Sequence, residues 1–393
     1  MRTIALFVFL WISAALAGPD GIYYALENRI EKGQIVTIGV PQRVKIGGVG
    51  QIEGLLAKAT RPPRAAQWIF DQSLKDWVLV DQMGHSFNIG EAKKRYLEAV
   101  KAGQDEFVLP VSHTLSNRGA QYYYKQGIRQ LLAEATTYFG GSSYERRFNI
   151  ALGASRLNGA IIAPGETFSF AKVMGEVSER TGFKKAFVIS GEQTVEGVGG
   201  GMCQVSTTLF RSAYFSGLPI VQRRPHSYQV RYYLPTGLDA AVFLPQLDLK
   251  FKNDTPGNIL IQSSVGRNSI TFRMFGTKDR SVSWSNPVTL SRTPAPPTRY
   301  IVSPQLPRQS FQQVDWAAEG ATVNVYRTIR FDNGKISKDT LTSTYRPWGA
   351  VWLVGEGTRL RSGRIITAAT DDAPDNHNYR LPTQTAVRPA SNR

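Results

Sequence analysis

Only one cysteine, Cys203, occurs in 393 residues, so no internal disulfide can staple this chain. Each domain must instead hold itself by burying apolar side chains, and 42% of the residues are hydrophobic, which suffices for ordinary cores. The length exceeds what one core usually accommodates, so two or three domains are expected. A lone thiol in such a chain is an intermolecular partner, an inert buried residue or a reactive group. The count favours the inert reading; the residues around Cys203 favour the reactive one.

The first residues read as a secretory signal. Arg2 supplies the positive charge, Ile4 to Leu16 is apolar, and Ala15-Leu16-Ala17 has the small-x-small form that a signal peptidase cuts. The apolar stretch, about 13 residues, falls short of the roughly 20 that span a bilayer. Cleavage is expected after Ala17, with Gly18-Pro19-Asp20 ending any helix and no following cysteine to carry a lipid. No other segment is apolar enough to cross a membrane, so the expectation is export to the periplasm, wall or medium with no stable span. The formal net charge is +17, from 47 Lys and Arg against 30 acidic residues. The basic residues are scattered and form no nucleic-acid module, which leaves an anionic wall polymer as the expected partner, or solubility alone as the reason for the charge.

The patterning predicts a multi-domain α+β protein. Residues 18–115 read as a small α+β module, with strands at Gln34–Val40, Trp77–Val80 and Phe107–Val111 and helices at Ile52–Ala59 and Ile89–Ala102. A helix-rich stretch follows, Ile128–Tyr138 and then Phe148–Leu157, the second ended by Asn158-Gly159. From Lys184 to Thr277 strands dominate: Leu247, Leu249 and Phe251 alternate with polar residues, as do Ile259 and Ile261, and Ile270, Phe272 and Met274. The central mixed helix and antiparallel-sheet domain is placed at 128–276. Six prolines mark 285–310 as a stiff linker. A compact β-module follows at 311–356, with an alternative start near 280, built around the hairpin turn Asp332-Asn333-Gly334. The polar stretch 357–393 is read as a disordered tail.

Gly199-Gly200-Gly201 permits positive φ and close approach of a ligand, and a helical pattern starts immediately after it, with Val205, Leu209 and Ala213 on one face. Cys203 therefore falls at or near the first turn of a helix. There the unpaired amides and the helix dipole favour a thiolate and can stabilise an oxyanion. Gln204, Ser206 and Thr207 offer side-chain donors in the same turn, either to a substrate or as caps. A thiol nucleophile needs a base. Of four histidines, His85 lies in the N-terminal module, His113 in a connecting segment and His377 in the tail, which leaves His226. It opens a strand-like run from Tyr228 to Leu234, and Asp239 in the next strand pattern, Gly237 to Val242, either orients it or serves the turn. In arrangement alone this order is similar to that of the transglutaminase and papain-like thiol enzymes. No metal-ligand cluster is visible and the triple glycine lacks a following Lys-Ser/Thr, so neither metal nor other cofactor is expected.

These residues resemble the VanW family. The matching features are Tyr138-Phe139, Asn149-Ile150, Leu157-Asn158-Gly159, Pro164-Gly165-Glu166 with Phe168-Ser169-Phe170, Gly199-Gly200-Gly201, Cys203-Gln204-Val205-Ser206-Thr207-Thr208-Leu209, His226-Ser227, and Gly237 with Asp239. They run in the family's order over about 128–276. Residues 30–115 resemble the peptidoglycan-binding domain that often precedes VanW, and 280–356 the glycine-named β-module that often follows it. The resemblance implies an L,D-transpeptidase-like acyl transfer on peptidoglycan stem peptides, with Cys203 as nucleophile and His226 as base and acid. Gly200, Gly201, Gln204, Ser206, Thr207 and Arg224 are the candidates for holding substrate and oxyanion. Two positions depart from the family pattern. Many members have a second histidine or similar polar residue where this chain has Arg224, and an arginine where it has Leu238; if either position receives the stem carboxylate, substrate preference differs here. A stem-peptide hydrolase and a non-catalytic wall-binding protein remain the alternatives.

Overall fold

The structure, a computed structural model, describes residues 18–190 and 193–367. The expected signal segment 1–17 and most of the expected tail, from 368, lie outside the described residues. The chain divides between Lys125 and Gln126 into two compact units, and the mixed α+β class is what is found, with several separate sheets.

In the first unit β1 (Asp20–Glu31) and β2 (Gln34–Val44) form a hairpin, followed by α1 (Ile52–Ala59), β3 (Arg64–Asp71), β4 (Asp76–Gln82), β5 (Gly84–Phe87), α2 (Ile89–Lys101), β6 (Glu106–Val108), β7 (Val111–Thr114) and α3 (Ala120–Lys125). The main sheet runs β2-β1-β4-β3, with β6 parallel to β1. Asn88 caps α2 by accepting from the Glu91 amide. Ala92, Tyr96 and Ala99 on one stripe of α2 then pack with Ile52 and Leu56 of α1 against Tyr23 and Phe107.

The second unit begins with β8 (Gln130–Tyr138), α4 (Tyr144–Leu157), β9 (Ile161–Ile162), β10 (Thr167–Ser169) and α5 (Phe170–Met174). It continues through β11 (Lys185–Ser190), β12 (Gln193–Val198), α6 (Met202–Phe215), β13 (Ile220–Gln222), β14 (Lys250–Lys252), β15 (Ile259–Val265) and β16 (Ser269–Gly276). The central sheet is antiparallel, β8-β16-β15-β9, and α6 lies buried over almost its whole length in a core with Phe139, Ile150, Phe251, Ile261 and Phe272. The C-terminal part adds β17 (Arg280–Trp284), β18 (Val288–Thr293), β19 (Arg299–Val302), β20 (Phe311–Asp315), β21 (Gly320–Phe331), β22 (Ile336–Tyr345), β23 (Val351–Val354), β24 (Thr358–Arg359) and β25 (Ile365–Ile366). Val325 of β21 belongs to the same apolar core as α6, and Leu341 of β22 packs against it.

Four expectations are corrected. Ile128–Tyr138 is not helical: it contains β8, paired along its length with β16. The register skips Leu132 opposite the Met274/Phe275 step, so a bulge accommodates the adjacent leucines that imitated a helical stripe. The 285–310 stretch is not a linker, since β18 pairs with β21 and β19 with β23. Its prolines stand outside these strands, where a missing N–H costs nothing, and β18 is exposed throughout as an edge strand. Neither Tyr228–Leu234 nor Gly237–Val242 is a strand; the first holds a short 3-10 turn at Arg231–Tyr233 and the second a single bridge, Arg224 to Ala241. Finally, residues 358–366 are not featureless tail but the small β24–β25 pair.

Candidate active site

The triple glycine is a turn only glycine can make. Gly199 has φ +83° and Gly201, the N-cap of α6, φ +114°. A Cβ on Gly201 would stand 2.8 Å from Ile150 Cγ1, and one on Gly199 2.3 Å from Val177 Cγ1. Buried Asn149 ties the turn to α4, donating from Nδ2 to the carbonyls of Gly200 at 3.1 Å and Lys184 at 2.8 Å. Cys203 thus falls in the first turn of α6, half-buried, with its thiol donating to the Val242 carbonyl at 3.6 Å. In that turn the Met202 amide donates to the Gly199 carbonyl at 3.2 Å and the Gln204 amide to the Gly201 carbonyl at 2.9 Å, and the positive end of the α6 dipole lies at the sulfur.

His226 and Asp239 meet beside it. Asp239 Oδ2 accepts from His226 Nδ1 at 2.5 Å and from the His226 amide at 2.8 Å, which fixes both the ring and its backbone. The imidazole is buried and stacks on Tyr233 at 4.6 Å between ring centroids. Its other nitrogen, Nε2, is buried without a hydrogen bond of ordinary length. Burial alone would lower the His226 pKa, but the Cys203 charge and the Asp239 carboxylate raise it on balance. Burial alone would raise the Cys203 thiol; the His226 charge and, last, Arg146 bring it below its usual value. Both directions favour a thiolate–imidazolium pair. Burial would raise Asp239 as well, yet His226 and Arg223 hold its carboxyl well below the usual range.

The segment 238–242 needs no neighbouring strand because α6 serves as one. Cys203, Thr207 and Arg211 are spaced four apart along one face of the helix, with Ser206 beside them. Thr207 Oγ1 accepts from the Ala240 amide at 3.0 Å, Ser206 Oγ donates to the Ala240 carbonyl at 2.6 Å, and Arg211 Nε donates to the Leu238 carbonyl at 2.7 Å. Arg211 also donates to the carbonyls of Tyr233 and Leu234. Buried side chains of α6 thereby satisfy the Ala240 amide and the carbonyls of Tyr233, Leu234, Leu238 and Ala240 within the two expected strands.

Several expected roles change accordingly. Ser206 and Thr207 are spent on Ala240. Gln204 is buried, with Nε2 donating to Thr137 Oγ1 at 2.6 Å and Oε1 accepting from Arg146 Nη2 at 3.0 Å. An oxyanion is therefore left to backbone amides around Gly201 and Cys203, not to these side chains. Arg224 is exposed, and the arginine inside the site is its neighbour Arg223, whose Nη2 reaches Asp239 Oδ1 at 3.2 Å. Leu238 is buried in the apolar core. Besides Arg223, three contributors carry no expectation from sequence: Arg146, Tyr233 and Tyr345, the last donating to Asp239 Oδ1 at 2.5 Å. Arg146 had a signal, since it sits in the first turn of α4, where a cation opposes the helix dipole and calls for another reason. Among the described residues no three His, Cys, Asp or Glu are grouped as metal ligands, and no helix is long and apolar enough to cross a membrane.

The family described as VanW like protein matches residues 145–275. The chain is 38% identical over 148 residues to the uncharacterized protein YoaR of Bacillus subtilis, covering 38% of this chain and 48% of that one. It is 32% identical over 140 residues to the vancomycin B-type resistance protein VanW of Enterococcus faecalis, covering 33% of this chain and 49% of that one. The chain thus spans about half the length of these relatives. Among solved structures it is similar to the IgA1 protease G5 domain, at 15% identity and TM-score 0.13 over 19% of this chain and 90% of that one. It is also similar to the G5 domain of HP0197, at 16% identity and TM-score 0.11 over 20% of this chain and 99% of that one. The VanW match contains the whole Cys203–His226–Asp239 group and α6; it ends before β22, which carries Tyr345.

Proposed function

We propose that this protein is an exported thiol acyltransferase of the cell wall, joining peptidoglycan stem peptides in the manner of an L,D-transpeptidase. One observation carries the reading: a half-buried thiol at a helix N-terminus faces a buried histidine that is oriented by a carboxylate. The Cys203 thiolate attacks a peptide carbonyl; a C–S bond forms and the oxyanion sits against the first-turn amides of α6. Nε2 of His226 gives its proton to the departing amine as the C–N bond breaks, leaving a thioester. An acceptor amine then attacks, loses its proton to His226, and displaces Cys203. The resistance-protein name of the Enterococcus relative and the net charge of +17, suited to an anionic wall, support the substrate class.

The test is intact-mass measurement of the wild type and Cys203→Ala incubated with muropeptides. A mass increase on the wild type alone, followed by a cross-linked product, is expected; a cleaved stem without a cross-link would make the protein a hydrolase. Muropeptide binding by both proteins, with no adduct, cross-link or cleavage, would leave only a binding role.

A further inference from the structure

The carboxylate that orients His226 is itself held from outside the VanW match. A carboxylate has about four lone-pair sites, and at Asp239 four donors are in place. Oδ2 takes the amide and Nδ1 of His226; Oδ1 takes Arg223 Nη2 at 3.2 Å and the Tyr345 phenol at 2.5 Å. Tyr345 is the last residue of β22 and is buried. The same hydroxyl accepts from the Gly237 amide at 2.9 Å, so it grips the turn that delivers Asp239 as well as the side chain. Ser343, two residues earlier on the same face of β22, donates to the Gly237 carbonyl at 3.1 Å and accepts from Arg223 Nη1 at 2.8 Å. Gly237 has φ +97°, and a Cβ there would stand 3.0 Å from Val323 Cγ1 of β21. The turn is thus seated against two strands.

We propose that the C-terminal β-strands complete the active site, with Tyr345 as the positioning residue that fixes Asp239 so that His226 faces Cys203. The proposal rests on the reading of Cys203 as a nucleophile. Packing alone would not call for a hydroxyl at this place, because Val323, Val325 and Leu341 already supply the apolar contact. Without the phenol, Arg223 still offsets charge on Oδ1, at the longer distance. What is lost is the short directional contact that orients the carboxylate, and with it the alignment of the imidazole.

The experiment compares the wild type, Tyr345→Phe and Asp339→Asn in the full chain, following Cys203 alkylation by iodoacetamide against pH alongside thermal unfolding. Asp339 pairs with Arg327, which donates to the carbonyls of Tyr214 and Leu218, so its variant loosens the same strands without touching Asp239. In Tyr345→Phe the alkylation midpoint moves up by about half a unit or more, roughly a threefold loss of thiolate below it, and acyl transfer falls roughly 10- to 100-fold, as when a partner that orients a ligating histidine is removed. Asp339→Asn melts earlier and keeps the wild-type midpoint. Superimposed wild-type and Tyr345→Phe curves, or an equal shift in Asp339→Asn, would overturn the positioning role while leaving the nucleophile intact. A wild-type thiol that titrates like free cysteine would overturn both readings at once. If Tyr345→Phe does not fold, Ser343→Ala decides: a smaller upward shift supports the role and none removes it.

Discussion

Replacing Thr207 by valine separates two roles for the first turn of α6. A substrate-facing hydroxyl would donate to an oxyanion, and losing such a donor costs about 10²–10³ in turnover. In the structure the hydroxyl instead accepts from the Ala240 amide at 3.0 Å, and Ala240 is fully buried. Valine preserves the shape and strands that one N–H. The Ala240 carbonyl keeps its shorter bond from Ser206 at 2.6 Å and loses only the contact from Thr207 at 3.3 Å. A single buried orphan donor costs about 1–3 kcal/mol. For a folding unit of this size that lowers the melting temperature by about 2–4 °C per kcal/mol. The measurement is thermal unfolding by scanning calorimetry, with acyl transfer assayed well below the transition. The expected result is a lower melting temperature with turnover reduced less than about tenfold. An unchanged melting temperature with turnover down about a hundredfold would place Thr207 on the substrate and refute the account of α6 as a surrogate strand.

Three further outcomes follow from the same geometry. In His226→Ala burial still pushes the Cys203 thiol up while its strongest opposing influence is gone, so the alkylation midpoint rises to or above that of free cysteine, a loss of about tenfold in thiolate per unit below it; an unmoved midpoint would contradict the pairing. Arg146→Met, which removes the weakest of the named influences, raises the midpoint less than His226→Ala does in the same titration. Gly201→Ala forces a Cβ to 2.8 Å from Ile150 at φ +114° and is expected to cost about 1–3 kcal/mol by urea unfolding; full stability would show that the turn can relax.

Much of the site was legible because its chemistry is local in sequence. A glycine turn, a helix start and a thiol lie within five residues, and elimination among four histidines left His226. The helices α1, α2, α4 and α6 and the strands β15 and β16 were readable for the same reason: each has its own periodicity, cap or turn. Illegible were the elements whose form depends on a distant partner. Leu131 and Leu132 look helical until β16 takes them up through a bulge. The proline-punctuated stretch looks like a linker until β21 and β23 supply edges for it to join.

The misreading of Gly237 to Val242 is the most instructive, because its partner is a helix and not a strand. Backbone groups buried beside a helix need donors and acceptors of some kind. A helix offers them only through side chains of the right length every four residues. Cys203, Thr207 and Arg211 meet that condition, and Ser206 fills the remaining place. Cys203 therefore belongs to the same stripe that secures the segment bearing Asp239. Any shift of α6 that moves Cys203 also strains the hydrogen bonds at Ala240 and Leu238. One helix face thus sets the spacing between the sulfur and the segment that bears Asp239, and the Tyr345 contact from β22 then fixes the carboxylate itself.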